Sequence, residues 1–195
     1  MLFLDAGSAF DAVVIEFLVR NLYIEGMSGN SLLYIKNRLS NRITFCNWDW
    51  KVMGPIYDQH GLEQGGCNSS DWYKIYNNEL LKTIQKSKSK QGVDIGPGLT
   101  ISSVGQADDT CLLSNDIFRL FNILHLTMNY CKQYNVELCA TKTKLVMISP
   151  TNRPVQIPIN PISIYGQKIA PSHQAEHVGV VRSDEGNLPH LLGRI

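Results

Sequence analysis

The stretch SSVGQADDTCLLS, Ser102 to Ser114, sets two adjacent aspartates, Asp108 and Asp109, between two short apolar runs. Taken alone it reads as a β-hairpin with a polar turn, because Asp is a common turn residue and the flanking segments have strand character. The other reading is half of a metal site, and the choice between the two rests on the rest of the chain.

The bulk properties admit chemistry without advertising it. A chain of 195 residues, 44% hydrophobic and 18% charged, has the composition of a folded globular domain and the length for one sizeable core. The net charge of +1 carries no general basicity, so contact with nucleic acid has to use local patches. Five cysteines, Cys46, Cys67, Cys111, Cys131 and Cys139, are odd in number and form no CxxC pair. That pattern argues against a disulfide framework and a zinc ribbon, and for a reducing, intracellular setting, cytoplasmic or nuclear. The opening MLFLDAGSAFDAVVIEFLV carries Asp5 and Asp11 and no cationic leader, and no run reaches the ~18 apolar residues of a membrane span, so the chain reads as soluble.

Outward from the hairpin, the elements follow from periodicity. Met1 to Leu4 reads as a short buried strand that delivers Asp5 at its end, and a helix follows with Val14, Phe17, Leu18 and Leu22 on its apolar face. A second helix is expected near Ser31 to Leu39. RITFCNWDW then reads as one arm of a ribbon closing near Ile56. Ser69 or Ser70 can cap a helix from about Asp71 to Ser87 with Tyr76, Leu80 and Ile84 on one face. Lys82, Lys86, Lys88 and Lys90 at its end read as a solvated turn suited to the helix dipole, against the alternative of a phosphate-tracking patch.

Val93 to Ile95, a Gly-Pro-Gly turn at 96–98 and Leu99 to Val104 lead into the Asp pair. Ser114, Asn115 and Asp116 offer a cap for a long helix with Leu120, Phe121, Leu124, Met128 and Cys131 inward. KLVMIS reads as a strand, 150–161 as a Pro-rich connection, ISIYGQKIA as a hairpin and HVGVV as a last strand. The order β-α-α-β-β-α-β-β-α-β, then a hairpin and a strand, is an α+β layout with helices on one face of a sheet. Residues 1–149 form the core and 150–195 a small C-terminal β appendage in this reading.

Two cations held roughly 3.5 to 4 Å apart for phosphoryl transfer need hard oxygen ligands converging from different strands. Asp5 at a strand end and Asp108 at a hairpin tip meet that need if their strands are neighbours. Otherwise Asp5 is a turn or cap acid, and Asp11 reads as a first-turn carboxylate of the following helix. A phosphatase built on an N-terminal aspartate would need a second acid two residues after Asp5, where this chain has Gly7.

Four segments in order, FLDAGSAFDAV, GLEQGGCNSSDWYKIYNN, GQADDTCLLS and CATKTKLVMIS, resemble the reverse transcriptase domain of non-LTR (LINE-type) retrotransposons. They are similar to that family's LDxxxAFD, GxxQGxxxSPxLFxxYxN, YADD or FADD, and NxxKT segments, and HVGVV is similar to its YLGV strand. The resemblance spans about residues 2 to 182. It implies a polymerase palm, an antiparallel sheet with helices packed on one face, and RNA-directed DNA synthesis from dNTPs on an RNA template and DNA primer.

The same resemblance implies two Mg²⁺ or Mn²⁺ ions held by Asp5, Asp108 and the carbonyl of Ala6, with Asp109 as acidic neighbour. It implies Phe10 as the ring under the incoming sugar, Gln64 and Gly65 against the nascent base pair, and Lys142 as the lysine that protonates the leaving pyrophosphate. From the residues alone, Phe10 reads equally as core packing and Lys142 as a solvated surface lysine. Gln106 stands on the primer side where the family has Tyr or Phe, Ser8 where it has Lys, and Asn68 and Ser70 where Leu and Pro flank the serine. None of these departures touches a metal ligand.

Measured against the family, the chain lacks the preceding fingers and a following thumb, endonuclease or zinc knuckle, and NLPHLLGRI looks like the opening of a next helix. The isolated chain is therefore expected to polymerise poorly or not at all. The alternative to a polymerase fragment is a non-catalytic relic of a mobile element that folds and binds only nucleic acid or a partner.

Overall fold

The structure is a computed structural model and describes residues 1–87, 91–148 and 162–184. Lys88 and Lys90 of the basic tail, the 150–161 connection and the closing segment 187–195 lie outside the described residues.

The first half runs β1 (Leu2–Leu4), β2 (Ala6–Gly7), α1 (Ile15–Ile24), α2 (Gly29–Leu39), β3 (Arg42–Trp48), β4 (Lys51–Asp58) and α3 (Ser69–Lys86). There follow β5 (Val93–Gly96), β6 (Leu99–Ile101), β7 (Ser103–Gln106), β8 (Asp109–Leu112), α4 (Ile117–Gln133), β9 (Glu137–Leu138) and β10 (Lys144–Leu145). Two hairpins of short strands follow, β11 (Ser163–Ile164) with β12 (Gln167–Lys168) and β13 (Gln174–His177) with β14 (Val180–Ser183), while β2 pairs with β9.

The organising sheet has the order β10-β1-β8-β7, every pair antiparallel. Strand periodicity divides its side chains between two faces. Leu2, Leu4, Leu112 and Leu145 turn towards the helices and join the main core with Leu18, Tyr76, Ile84, Ile123 and Leu124. Phe3, Cys111 and Val146 turn the other way and meet Ala175 of β13 in a second, smaller cluster. This is the mixed α+β layout with helices on one face. Ile162, Ile164 and Ile169 of the β11–β12 hairpin also sit in the main core, so that hairpin shares the burial of the first 149 residues.

Several local expectations shift. The helix expected soon after Gly7 begins only at Ile15, and its first-turn acid is Glu16; Asp11 lies in the preceding turn and is exposed. The reason is a long-range tether: Leu62 N donates to Phe10 O at 2.8 Å and Gly61 N to Val13 O at 2.8 Å, holding 10–13 out of helical geometry. Helix α3 starts at Ser69 with Asn68 as its cap residue, and no side chain caps it. Helix α4 is capped as expected, by Asp116, whose carboxylate accepts from Arg119 N at 2.9 Å.

HVGVV does not form a strand. Val178 and Gly179, both with positive φ (53° and 72°), make the two-residue loop between His177 and Val180, the conformation that joins β13 to β14. KLVMIS is a strand only over Lys144–Leu145, extended by a reciprocal pair of bonds, Met1 N to Val146 O and Val146 N to Met1 O. Leu99 to Val104 splits at the buried Ser102 into β6 and β7, which belong to different sheets.

The β3–β4 ribbon stands clear of the core: Phe45, Trp48, Trp50, Val52 and Tyr57 are all exposed. Its root is held by Arg42, whose guanidinium donates to the carbonyls of His60 and Gly61 at 2.7 and 2.8 Å. All five cysteines are free; Cys46 on the ribbon and Cys67 before α3 are exposed, Cys111 and Cys131 buried. Among the described residues no helix is long and apolar enough to cross a membrane.

Candidate active site

The register of the central sheet brings the two aspartate segments together. Leu4 pairs with Thr110 across β1 and β8, so the residues that follow Leu4 and those that precede Thr110 leave the sheet at the same end. Asp5 stands directly after β1, and Asp108 sits in the loop before β8. The strands are neighbours, as a shared site requires.

Gln106 pairs with Asp109, leaving Ala107 and Asp108 as a two-residue loop. Ala107 has φ +54°, while Asp108 is not in the left-handed region. A positive φ at the first loop position alone is the type II′ pattern, where glycine is usual and an alanine is strained. The side-chain amide of Asn77 in α3 donates to Ala107 O at 2.8 Å and holds the loop in that form. Asp108 and Asp109 are exposed.

Asp5 is half-buried, and its Oδ2 is fully enclosed yet accepts no hydrogen bond. Lys142 Nζ lies 3.6 Å from that oxygen, on a side chain 70% exposed. The main chain ties these residues further, since Cys139 N donates to Asp5 O at 2.8 Å and β2 pairs Ala6 with Leu138. Hydrogen bonds with Thr141 Oγ1 and the Lys142 main chain hold the Cys139 thiol below its usual pKa.

Beneath the loop a small cavity is lined by Leu4, Ala6, Tyr73, Asn77 and Asp108, so Ala6 and Asp108 face the same space. Burial pushes the Tyr73 phenol far up, and the Asp108 carboxylate adds to the effect. The Phe10 ring stacks on Tyr73 with centroids 4.9 Å apart and planes 23° from parallel, which fixes its orientation. Phe10 is thus both a packed ring and a neighbour of the Asp108 cavity through Tyr73.

Gln64 and Gly65 lie in the exposed segment before α3. Gly65 has φ +86°, which suits glycine, and open space where a Cβ would stand, with no atom of the chain in close approach. The close approach belongs to Gly61, with φ +83°, where a Cβ would lie 3.0 Å from the Asp11 backbone. Gln106 is exposed and lines a groove with Glu25, Lys74, Asn78 and Leu81.

Asp5, Ala6, Asp108, Asp109 and Lys142 therefore gather at one end of the sheet, with Phe10 joined to them through Tyr73. Gln64 and Gly65 are linked to them only along the main chain, through the 61–62 tether. Asn77 and Tyr73 were not singled out from the sequence; both fall within GLEQGGCNSSDWYKIYNN, but an Asn or Tyr inside a helix gives no signal of what it reaches. Among the described residues no three His, Cys, Asp or Glu side chains form a metal cluster.

Comparison with known proteins bears directly on this arrangement. A search of curated proteins finds no match. Among solved structures the chain is similar to apo telomerase from Candida tropicalis truncated from its C-terminal domain, at 13% identity and a TM-score of 0.57, a likeness of fold. The match covers 93% of this chain and 33% of that one, so the chain spans about a third of the telomerase. The family model described as reverse transcriptase (RNA-dependent DNA polymerase) matches residues 1–181. With a family match over nearly its whole length and the aspartate-bearing hairpin beside its first strand, the chain belongs to the reverse transcriptase family.

Proposed function

We propose that the chain is the palm core, over residues 1–149, of a non-LTR (LINE-type) retrotransposon reverse transcriptase, which adds dNTPs to a primer 3′-OH on an RNA template. The observation that carries the reading is the strand register that brings Asp5 and Asp108 from neighbouring strands to one end of the sheet. Two carboxylates brought together from neighbouring strands are the hard oxygen ligands that divalent ions take, so the residues suit the ions that the family resemblance implies.

Asp5, Asp108 and the Ala6 carbonyl would hold two Mg²⁺ or Mn²⁺ ions. Bound there, the ions supply acidification of the attacking hydroxyl and charge stabilisation at the leaving phosphate. The chain's own residues do the rest. Asp109 adds negative charge beside the pair. The Phe10 ring, held by Tyr73, closes the space a 2′-OH would need and favours dNTP over rNTP. Gln64 presents an exposed amide to the nascent base pair, and Gln106 flanks the primer end. Lys142 Nζ, already 3.6 Å from Asp5 Oδ2, is near enough to give its proton to the departing pyrophosphate. Five free thiols support a reducing, intracellular site of action, cytoplasmic or nuclear.

The test is extension of a DNA primer on an RNA template in Mg²⁺ or Mn²⁺, comparing the chain with its Asp108→Asn variant and with a longer chain that includes the region preceding it in the family. Extension that the variant loses supports the polymerase. Extension absent throughout, with primer-template still bound, identifies the non-catalytic relic, and equal extension in the variant marks a contaminant.

A further inference from the structure

We propose that Asn77 is a positioning residue of the metal site: its side-chain amide, bonded to the Ala107 carbonyl, holds the loop that sets Asp108. The inference rests on the reading of Asp108 as a metal ligand and adds a residue that the family's segment does not specify. In GxxQGxxxSPxLFxxYxN the final Asn aligns with Asn78, and Asn77 occupies the unspecified position before it.

Three observations converge on this residue. First, the loop needs a restraint. Ala107 is a non-glycine residue at φ +54°, a strained conformation for a residue with a Cβ, and in a two-residue loop the first carbonyl has no partner in the strand ladder. Asn77 Nδ2 meets that carbonyl at 2.8 Å. Second, the restraint is rigid. Asn77 stands in α3 between Tyr73, Tyr76 and Leu80, which are buried, so the donor is fixed to the core and not to a mobile surface. Third, the bond joins residues 30 apart in sequence, and Asn77 and Asp108 line the same cavity with Ala6.

Asn is a poor helix former because its side chain competes for nearby main-chain groups. Here it spends its donor on a distant carbonyl. Without it the Ala107 peptide is free to relax towards negative φ, and the Asp108 carboxylate turns with it, away from the space it shares with Ala6.

The experiment measures Mn²⁺ binding by electron paramagnetic resonance, using Mn²⁺ alone, together with thermal unfolding. Four variants are compared with the parent: Asn77→Leu, which keeps the shape and removes the donor; Asn77→Gln, which keeps an amide; Asp108→Asn; and Thr83→Ala, on the same helix and outside the site. We expect Asn77→Leu to weaken Mn²⁺ binding on the order of 10-fold, the scale of removing a group that orients a ligand. Asn77→Gln should recover most of it, and Thr83→Ala should bind as the parent does.

A melting temperature lowered equally in Asn77→Leu and Thr83→Ala, with only the former losing affinity, separates positioning from stability. Parent-like affinity in Asn77→Leu, alongside lost affinity in Asp108→Asn, overturns the role of Asn77 and leaves the metal site standing. Parent-like affinity in Asp108→Asn overturns the metal site and the role of Asn77 with it. Should Asn77→Leu not fold, weak binding by a folded Asn77→Gln overturns the proposal and parent-like binding supports it.

Discussion

Replacing Tyr76 with Phe removes one oxygen atom from the best-buried joint of the helical layer. The Tyr76 hydroxyl donates to Tyr134 O at 2.8 Å, at the C-cap of α4, and accepts from Val14 N at 3.3 Å, at the start of α1. The ring is 1% exposed and Tyr134 6%, so no water can replace the lost partner. Phe keeps the ring contacts, including the edge-on approach to Tyr134 at 5.5 Å, and the change isolates the two hydrogen bonds. Orphaning a buried carbonyl costs about 1–3 kcal/mol, and the longer bond from Val14 adds about 0.5 kcal/mol.

We expect a loss of about 2–3 kcal/mol, a 30- to 150-fold shift in the folding equilibrium. For a chain of this size that lowers the melting temperature by roughly 5–10 °C. Urea unfolding followed by circular dichroism measures it, with an unchanged slope showing that the unfolded state is not what moved. A loss below about 0.5 kcal/mol would refute the hydrogen-bonded joint and the claim that α1, α3 and α4 are locked through one hydroxyl.

Three further outcomes follow from the same physics. Burial raises the Tyr76 phenol to about 12, the Cys111 thiol to about 11 and the Cys131 thiol to about 12. Each folded pKa lies above the unfolded one, so stability is intact below about pH 9 and declines as pH rises from there to 12; denaturation midpoints across pH 8 to 11.5 check this, and a flat profile contradicts it. Asp116→Ala removes the carboxylate that accepts from Arg119 N and should cost about 1 kcal/mol, read by the urea midpoint. Trp48 and Trp50 are 76% and 96% exposed against 8% for Trp72, so acrylamide should quench most of the native tryptophan emission, and Trp48→Ser with Trp50→Ser should leave a blue-shifted, protected remainder.

What could be read in advance divides along physical lines. Local patterns were legible: the apolar spacing of α3 and α4, the Asp116 cap and the β-branched and aromatic run of the ribbon declare themselves within a few residues. The pairing of Asp5 with the Asp108 hairpin needed ordered motifs as well as periodicity, because no local signal states that β1 lies beside β8. Where long-range contacts override local preference, reading failed. The 10–13 segment has helical neighbours but is pinned by Gly61 and Leu62, and the alternating valines of HVGVV look like a strand although Val178 and Gly179 turn the chain. Nothing in YNN tells that the first Asn reaches a carbonyl in another element while the second does not.

The distribution of free thiols turns the molecule into its own measuring device. Cys46 rides on the ribbon and Cys67 on the segment leading into α3, and both are exposed, whereas Cys111 and Cys131 are sealed in the interior. With Cys139 changed to Ser, spin labels on the two native positions would report the distance between ribbon and helix without any introduced cysteine. A narrow distance distribution would mean that the Arg42 root transmits the ribbon's position to the chain before Gln64, and a broad one that the ribbon swings on its own.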